Sequence, residues 1–253
     1  MTDKVLFITG AGSGMGQLSA KRALNDGWAV AAVDVNREGL DALGASRRLL
    51  KLAVDVTDSA AVRSAVDQAE NQLGPIHRVT NAAAIMPLGL LTEQRLDVIL
   101  KVMAINYGGL VNVTKAALPR MLERRRGEFV SYSSMAGHWP ILYFGAYNAA
   151  KHAVVAFTEV LYHENRDSGV RFVCVCPPTV ATPLLKQASD TVWPRILDVF
   201  PPIAPEIVLD AIERSLARGR FWAFPGPLTS LVWRLHRWLP AVLWWQVHRV
   251  EGR

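Results

Sequence analysis

Tyr147 and Lys151 stand four positions apart in the segment YNAAK, with mostly small residues between them. On a helix, positions i and i+4 share one face, about one turn apart. A phenol titrates near 10 in water and is a poor base at neutral pH. An ammonium one turn away favours the phenolate. The pair therefore reads in two ways: an ordinary contact on a helix face, or a tuned acid/base that exchanges a proton with a hydroxyl.

A second stretch, TGAGSGMG from Thr9 to Gly16, leaves an apolar run and opens a helical one. Its glycines (10, 12, 14 and 16) allow positive φ and close approach of a ligand to the backbone. The helix that follows offers unpaired N–H groups and partial positive charge to a pyrophosphate. A plain tight turn is the bland alternative. Asp34 ends the next apolar run, 18 residues beyond Gly16. A carboxylate there accepts hydrogen bonds from an adenosine ribose and repels a 2′-phosphate, which favours NAD over NADP. Arg37 nearby weakens that preference, and a solvated strand-end acid is the bland reading of Asp34.

These groups need a scaffold. Short β-branched runs at Val5–Thr9, Ala29–Asp34, Leu50–Val54, Arg78–Asn81, Glu128–Ser133, Val170–Cys176 and Phe221–Phe224 alternate with helical stretches such as Ser59–Leu73, Asp97–Glu123 and Tyr147–Asp167. Alternation of this kind predicts an α/β fold: one Rossmann-like, doubly wound parallel sheet of about seven strands flanked by helices. Near-continuous apolar strands fit a sheet covered on both faces. The 253 residues divide into one domain over 1–226 and a Trp/Arg-rich helical tail over 227–253.

The composition narrows the function classes. Net charge is +6, without a Lys/Arg run interleaved with aromatics, so nucleic acid is not expected as a partner. The run Arg124–Arg126 suits a helix C-terminus. Cys174 and Cys176 alternate along an apolar strand and read as core thiols in a reducing, cytoplasmic setting. The short apolar run after Lys4 does not resemble a signal peptide, and no run of about 18 uncharged apolar residues is present. His236, His248 and the two cysteines lack the clustering of a metal site, so no metal is expected.

The motifs together resemble the short-chain dehydrogenase/reductase family, over about residues 4–226. Gly10, Gly14 and Gly16 match its TGxxxGxG turn, with Ser13 and Met15 between them. DVTD at 55–58 resembles the family's turn after the third strand, which implies Asp55 and Val56 beside the adenine. TNAAA at 80–84 resembles NNAG: Asn81 matches, Ala82 follows, and Ala83 replaces a glycine. INYGG places Asn106 where the family has its helical asparagine. The serine 13 positions before Tyr147 is Ser134. Pro177 and Thr182 match PGxxxT, with Pro178 in place of glycine. The resemblance implies that Tyr147 exchanges a proton with the substrate oxygen, Ser134 donates a hydrogen bond to it, and Lys151 also binds ribose hydroxyls. Asn106 would hold a water on a proton path, Val180 would offer backbone groups, and Thr182 would bond the carboxamide. It also implies a homodimer or homotetramer. Rival readings are an NADPH-dependent carbonyl or β-ketoacyl reductase, and a non-catalytic dinucleotide-binding sensor.

Two segments bear on substrate and setting. The expected substrate loop, Thr182–Pro205, carries Leu184, Leu185, Val192, Trp193, Ile196, Leu197, Val199 and Phe200, and MAGHWPILYFGAY adds Trp139, Ile141, Leu142, Tyr143 and Phe144. Walls of this kind suit a lipophilic alcohol or ketone. His138 reads as a pocket residue or a polar loop residue. In the tail, Leu228, Leu231, Val232, Leu235 and Leu239 recur at helical spacing with Trp and Arg around them, and Pro240 breaks the pattern. Such a helix suits either peripheral membrane contact or a neighbouring subunit.

Overall fold

The computed structural model describes residues 4–189, 191–226 and 228–252. Pro227, where the sequence places the start of the tail, lies outside them, as do Asp190 in the substrate loop and the N-terminal Met1–Asp3. Seven strands, β1 (Val5–Thr9), β2 (Ala29–Asp34), β3 (Leu49–Ala53), β4 (Ile76–Asn81), β5 (Gly127–Tyr132), β6 (Val170–Val175) and β7 (Trp222–Ala223), form one sheet in the order β3-β2-β1-β4-β5-β6-β7. Every pairing is parallel. The order reverses at β1, where the chain turns from building outward to β3 and resumes beside β1 with β4. In open parallel sheets, ligands bind at the carboxyl ends beside such a reversal.

Strand alternation assigns the helices. On one face, Val5, Phe7, Val79, Phe129 and Cys174 meet α3 (Ser59–Leu73), α5 (Gly109–Glu123) and α6 (Gly145–Glu164). Their neighbours Leu6, Ile8 and Val30 point the other way, onto α1 (Gly14–Asn25). Further along that second face, Val130, Tyr132 and Val173 meet α9 (Pro205–Ala217). A short α2 (Arg37–Asp41) follows β2, and α4 (Leu96–Met103) precedes α5. The substrate loop forms α7 (Pro183–Ser189) and α8 (Ile196–Val199), and the tail forms α10 (Thr229–Trp238) and α11 (Pro240–Glu251).

One helix differs from the sequence reading. The helix expected over 97–123 is interrupted by a π turn at Ala104–Gly108, a device that adds a residue to a helix and redirects a side chain. The apolar pattern runs across it unbroken, so periodicity does not reveal it. The whole stretch Leu96–Glu123 is long and apolar enough to cross a membrane; here Leu110, Val113, Ala117 and Met121 of α5 pack onto the sheet instead. In the tail, Pro240 breaks the helix as the sequence suggests, and Leu228, Leu231, Leu235 and Leu239 of the apolar stripe are solvent-exposed.

The glycine turn is fixed by space as well as torsion. Gly10 has φ +70°, and a Cβ on Gly16 would lie 2.0 Å from the Gly10 carbonyl oxygen. Gly16→Ala is expected to push α1 off the turn and destabilise the chain by about 2–3 kcal/mol, as overpacking does. The check is the denaturant midpoint; a wild-type midpoint would mean the turn relaxes freely.

Candidate active site

The carboxyl ends of β1, β4, β5 and β6 open into a cavity of about 380 Å³. At its sheet end lie Met15, Ala82, Ser134, Tyr147, Lys151, Pro177, Val180 and Thr182. Residues dispersed over the sequence thus converge because each follows a parallel strand or starts the helix behind one.

Tyr147 and Lys151 lie in the first two turns of α6, both buried. The Lys151 Nζ donates to the Tyr132 carbonyl at 2.8 Å and stands 5.5 Å from the Tyr147 ring centre. The Lys151 carbonyl accepts from Ser133 Oγ at 3.0 Å. This close approach needs Gly137, whose Cβ would fall 2.6 Å from that carbonyl oxygen and 2.5 Å from Ser133 Oγ. Burial lowers the Lys151 ammonium to about 8 and pushes the Tyr147 phenol up, out of its usual range. The force pulling the phenol back down is its hydrogen bond with Ser134. Desolvation thus opposes the phenolate that the cation favours, and the ammonium's own hydrogen bond goes to the Tyr132 carbonyl.

Ser134 caps the short turn Met135–Gly137 by accepting from Ala136 N at 3.1 Å. Its Oγ donates a long 3.4 Å hydrogen bond to Pro177 O and also meets the Tyr147 hydroxyl, so its proton is weakly held. Asn106 sits on the π turn and is buried. Its side chain accepts from Ile85 N at 2.9 Å and donates to Ile85 O at 3.0 Å. The side-chain amide thus fixes the β4–α4 loop, with one donor and one lone pair left over.

The dinucleotide cradle is assembled at β1. Ser13 precedes α1 without capping it, and the first turn of α1 contains no acid. Its N–H groups are left to an incoming anion. Asp34 accepts from Gly12 N and Asn36 N, each at 2.8 Å, which orients its carboxylate at the turn. Across the cleft Thr182 approaches Gly14: a Cβ there would lie 3.5 Å from Thr182 Cβ. Arg37 is exposed on α2. A pyrophosphate and a ribose fit this arrangement. Asp55 is exposed and closes its own turn through Thr57 N and Oγ1, both at 2.8 Å. Val56 is buried, against the position a Gly109 side chain would fill. Asn81 is buried at the end of β4, its Nδ2 without a partner among the described residues. Ala82 N and Ala83 N donate to Thr9 Oγ1 at 3.2 and 3.3 Å. The Thr182 hydroxyl reaches Val180 O at 3.5 Å, and Val180 is zipped to Ile203. Pro177 is followed by a trans-linked Pro178, the chain having no cis peptide among the described residues.

Beyond this polar end the cavity is apolar. Trp139, Ile141, Phe144, Leu184, Leu185, Ile196, Leu197 and Phe200 line it as expected, whereas Val192, Trp193, Val199, Leu142 and Tyr143 do not. Trp193 and Val199 are exposed instead, 40 % and 45 %. Among the described residues Lys151 is the one basic side chain on the lining, and neither Lys186 nor Arg195 reaches it. Sequence reasoning missed Thr9 and Ser133, which tie β4 and α6 in place, and Leu228, Thr229 and Val232, which bring α10 to the far wall. The hydroxyl beside the first glycine was the available signal for Thr9. His138 is neither a pocket residue nor a loop residue in water. Its ring packs on Trp222, Phe224 and Trp233, with Nε2 3.5 Å from Cys176 Sγ. Among the described residues no group of three His, Cys, Asp or Glu is placed to hold a metal.

With the geometry in hand, known proteins can be compared. Residues 4–193 match the family model described as short chain dehydrogenase. The chain is 32 % identical to 2-(S)-hydroxypropyl-CoM dehydrogenase 3 of Xanthobacter autotrophicus, covering 91 % of this chain and 98 % of the relative. It is 32 % identical to 17-beta-hydroxysteroid dehydrogenase 13 of Mus musculus, covering 87 % of this chain and 71 % of the relative. A short chain dehydrogenase/reductase from Burkholderia phymatum, solved in complex with NAD, superposes with a TM-score of 0.84 at 27 % identity, over 95 % of both chains.

The environment of His138 has a measurable pH consequence. Burial lowers its pKa from about 6.5 to about 4. The unfolded chain therefore binds the extra proton first, and stability present above 6.5 is lost as pH falls towards 4. The wild type should lose about 2–3 kcal/mol more over this window than His138→Phe, in urea midpoints at pH 7 and 4.5. Equal losses would mean that the folded imidazole protonates freely.

Proposed function

The chain belongs to the short-chain dehydrogenase family, and from that footing we propose that it interconverts a lipophilic secondary alcohol and its ketone, with NAD as the dinucleotide. Membership makes it an NAD(P)-dependent oxidoreductase of CH–OH groups. The observation carrying the finer reading is the position of Ser134, Tyr147 and Lys151 at the one polar end of an otherwise apolar cavity. A substrate seated there presents one oxygen to these groups and an apolar body to Trp139, Phe144, Leu197 and Phe200.

Bound NAD⁺ supplies the acceptor for the hydride of the carbinol carbon, and NADH the donor in the reverse direction. The Tyr147 Oη takes the proton of the substrate hydroxyl in oxidation and returns it in reduction. Ser134 Oγ turns from its long bond with Pro177 to donate to the substrate oxygen. Lys151 keeps one donor on Tyr132 O and offers the rest to ribose hydroxyls. The glycines of the turn and Ser13 and Met15 hold the pyrophosphate, Asp34 the adenosine ribose, and Asp55 and Val56 border the adenine. Asn81, Ala82, Ala83, Pro177, Val180 and Thr182 frame the nicotinamide side.

Asp34 supports NAD, since its backbone-held carboxylate repels a 2′-phosphate. The exposed Leu96 and Leu100 on α4 and Val160 on α6 support self-association, as a homodimer or homotetramer.

Tyr147→Phe is expected to lower turnover by about 10²–10⁴-fold while leaving NADH binding intact. Full activity in that variant overturns the assignment. Because burial raises the phenol's pKa, alcohol oxidation should accelerate with rising pH and ketone reduction should slow. A panel of alcohols and ketones graded by chain length and ring size, run with both dinucleotides, tests the substrate class. NADH should give the higher kcat/KM and Asp34→Ser should narrow the difference; a preference for NADPH or for small polar alcohols would refute the finer reading.

A further inference from the structure

We propose that the outer surface of α10 and α11 docks the enzyme on an anionic lipid bilayer. The chain exposes Leu231 at 50 %, Trp238 at 79 %, Val242 at 54 % and Trp245 at 60 % on these two helices. On α10, Leu228, Leu231, Leu235 and Trp238 fall at i, i+3, i+7 and i+10, one continuous stripe. Beyond Leu228, which borders the cavity, that stripe does not cover the body: the tail anchors itself through Leu243 and Val247, which are buried against Trp139. The exposed leucines and tryptophans are thus surplus to holding the helices in place.

Charge selects the occupant. Residues 228–253 contain four arginines and one acid, Glu251. That acid is engaged, accepting from Ile196 N at 2.9 Å. Arg249 lies 5.4 Å from the Trp245 ring centre, a pairing that keeps the guanidinium at the polar level while the indole enters the apolar layer. An apolar stripe with tryptophans and arginines and almost no acid is complementary to an anionic headgroup layer. A second copy of the same basic face would bring like charges together. The stripe also adjoins the cavity, since Leu228, Thr229 and Val232 line it from the same helix. A bilayer bound here lies beside the wall that the lipophilic body of the substrate touches.

The docking is measured without substrate, so it stands or falls separately from the proposed reaction. The full chain is mixed with vesicles of phosphatidylcholine alone or with about 30 % phosphatidylserine and sedimented, with intrinsic tryptophan fluorescence and brominated-lipid quenching as second readouts. Retention on the anionic vesicles, at least tenfold weaker on neutral ones and weakened by salt, is the expected result. Trp238→Ser/Trp245→Ser, both exposed and away from the cavity, should lose about tenfold or more of that binding with unchanged turnover of a short water-soluble alcohol. A chain that stays in the supernatant with both vesicles overturns the proposal. So does a double variant that binds vesicles as the wild type does, or one whose only change is from dimer to monomer on size exclusion, which would make the face a subunit contact.

Discussion

A buried ammonium must find an acceptor, and much of this active site follows from where Lys151 finds one. It donates to the carbonyl of Tyr132 at the end of β5. Its own carbonyl is held from the other side by Ser133. These two hydrogen bonds seat the first turns of α6 against the strand end, and the missing side chain of Gly137 lets the backbones come close enough. Tyr147 lies one turn earlier on the same helix, so its hydroxyl is carried to Ser134 by the same contact. The loss of either hydrogen bond would leave a polar group buried without a partner, which costs about 1–3 kcal/mol, and would free the helix to shift.

This arrangement was legible in outline from the amino-acid sequence. The strands Val5–Thr9 and Ala29–Asp34 and the helix Ser59–Leu73 emerged with the same ends in sequence and structure. Each has a local reason for one of its ends: the glycine turn after Thr9, the acid at Asp34, and Asp58, which caps the start of the helix through Ala60 N and Ala61 N. Other ends shifted by a residue or two, as at Cys176, which lies beyond the end of β6 yet still donates to Ala223 O at 2.9 Å.

What the sequence did not disclose has a common physical origin, since spacing gives proximity but neither orientation nor dielectric. The π turn hides inside an uninterrupted apolar pattern. An amphipathic stripe on α10 says that a helix has two faces, not which one meets the protein, and here it is mostly the other. The Tyr147–Lys151 spacing gives the sign of their attraction, whereas the burial that opposes it is set by the folded surroundings of α6. For His138, the flanking residues read as a loop, while the aromatic cage around it is built from β7 and α10, on the far side of the sequence.

The bond between Glu251 and Ile196 spans 55 residues and places an acceptor at the start of α8. α8 itself is four residues long, too short to persist alone. During translation the wall that α8 contributes is thus without this brace until those 55 residues have left the ribosome. The glycine turn and Asp34, by contrast, are encoded within the first two strands. The order of synthesis therefore staggers the site: the adenosine end is encoded early, and the shape of the substrate chamber is settled late.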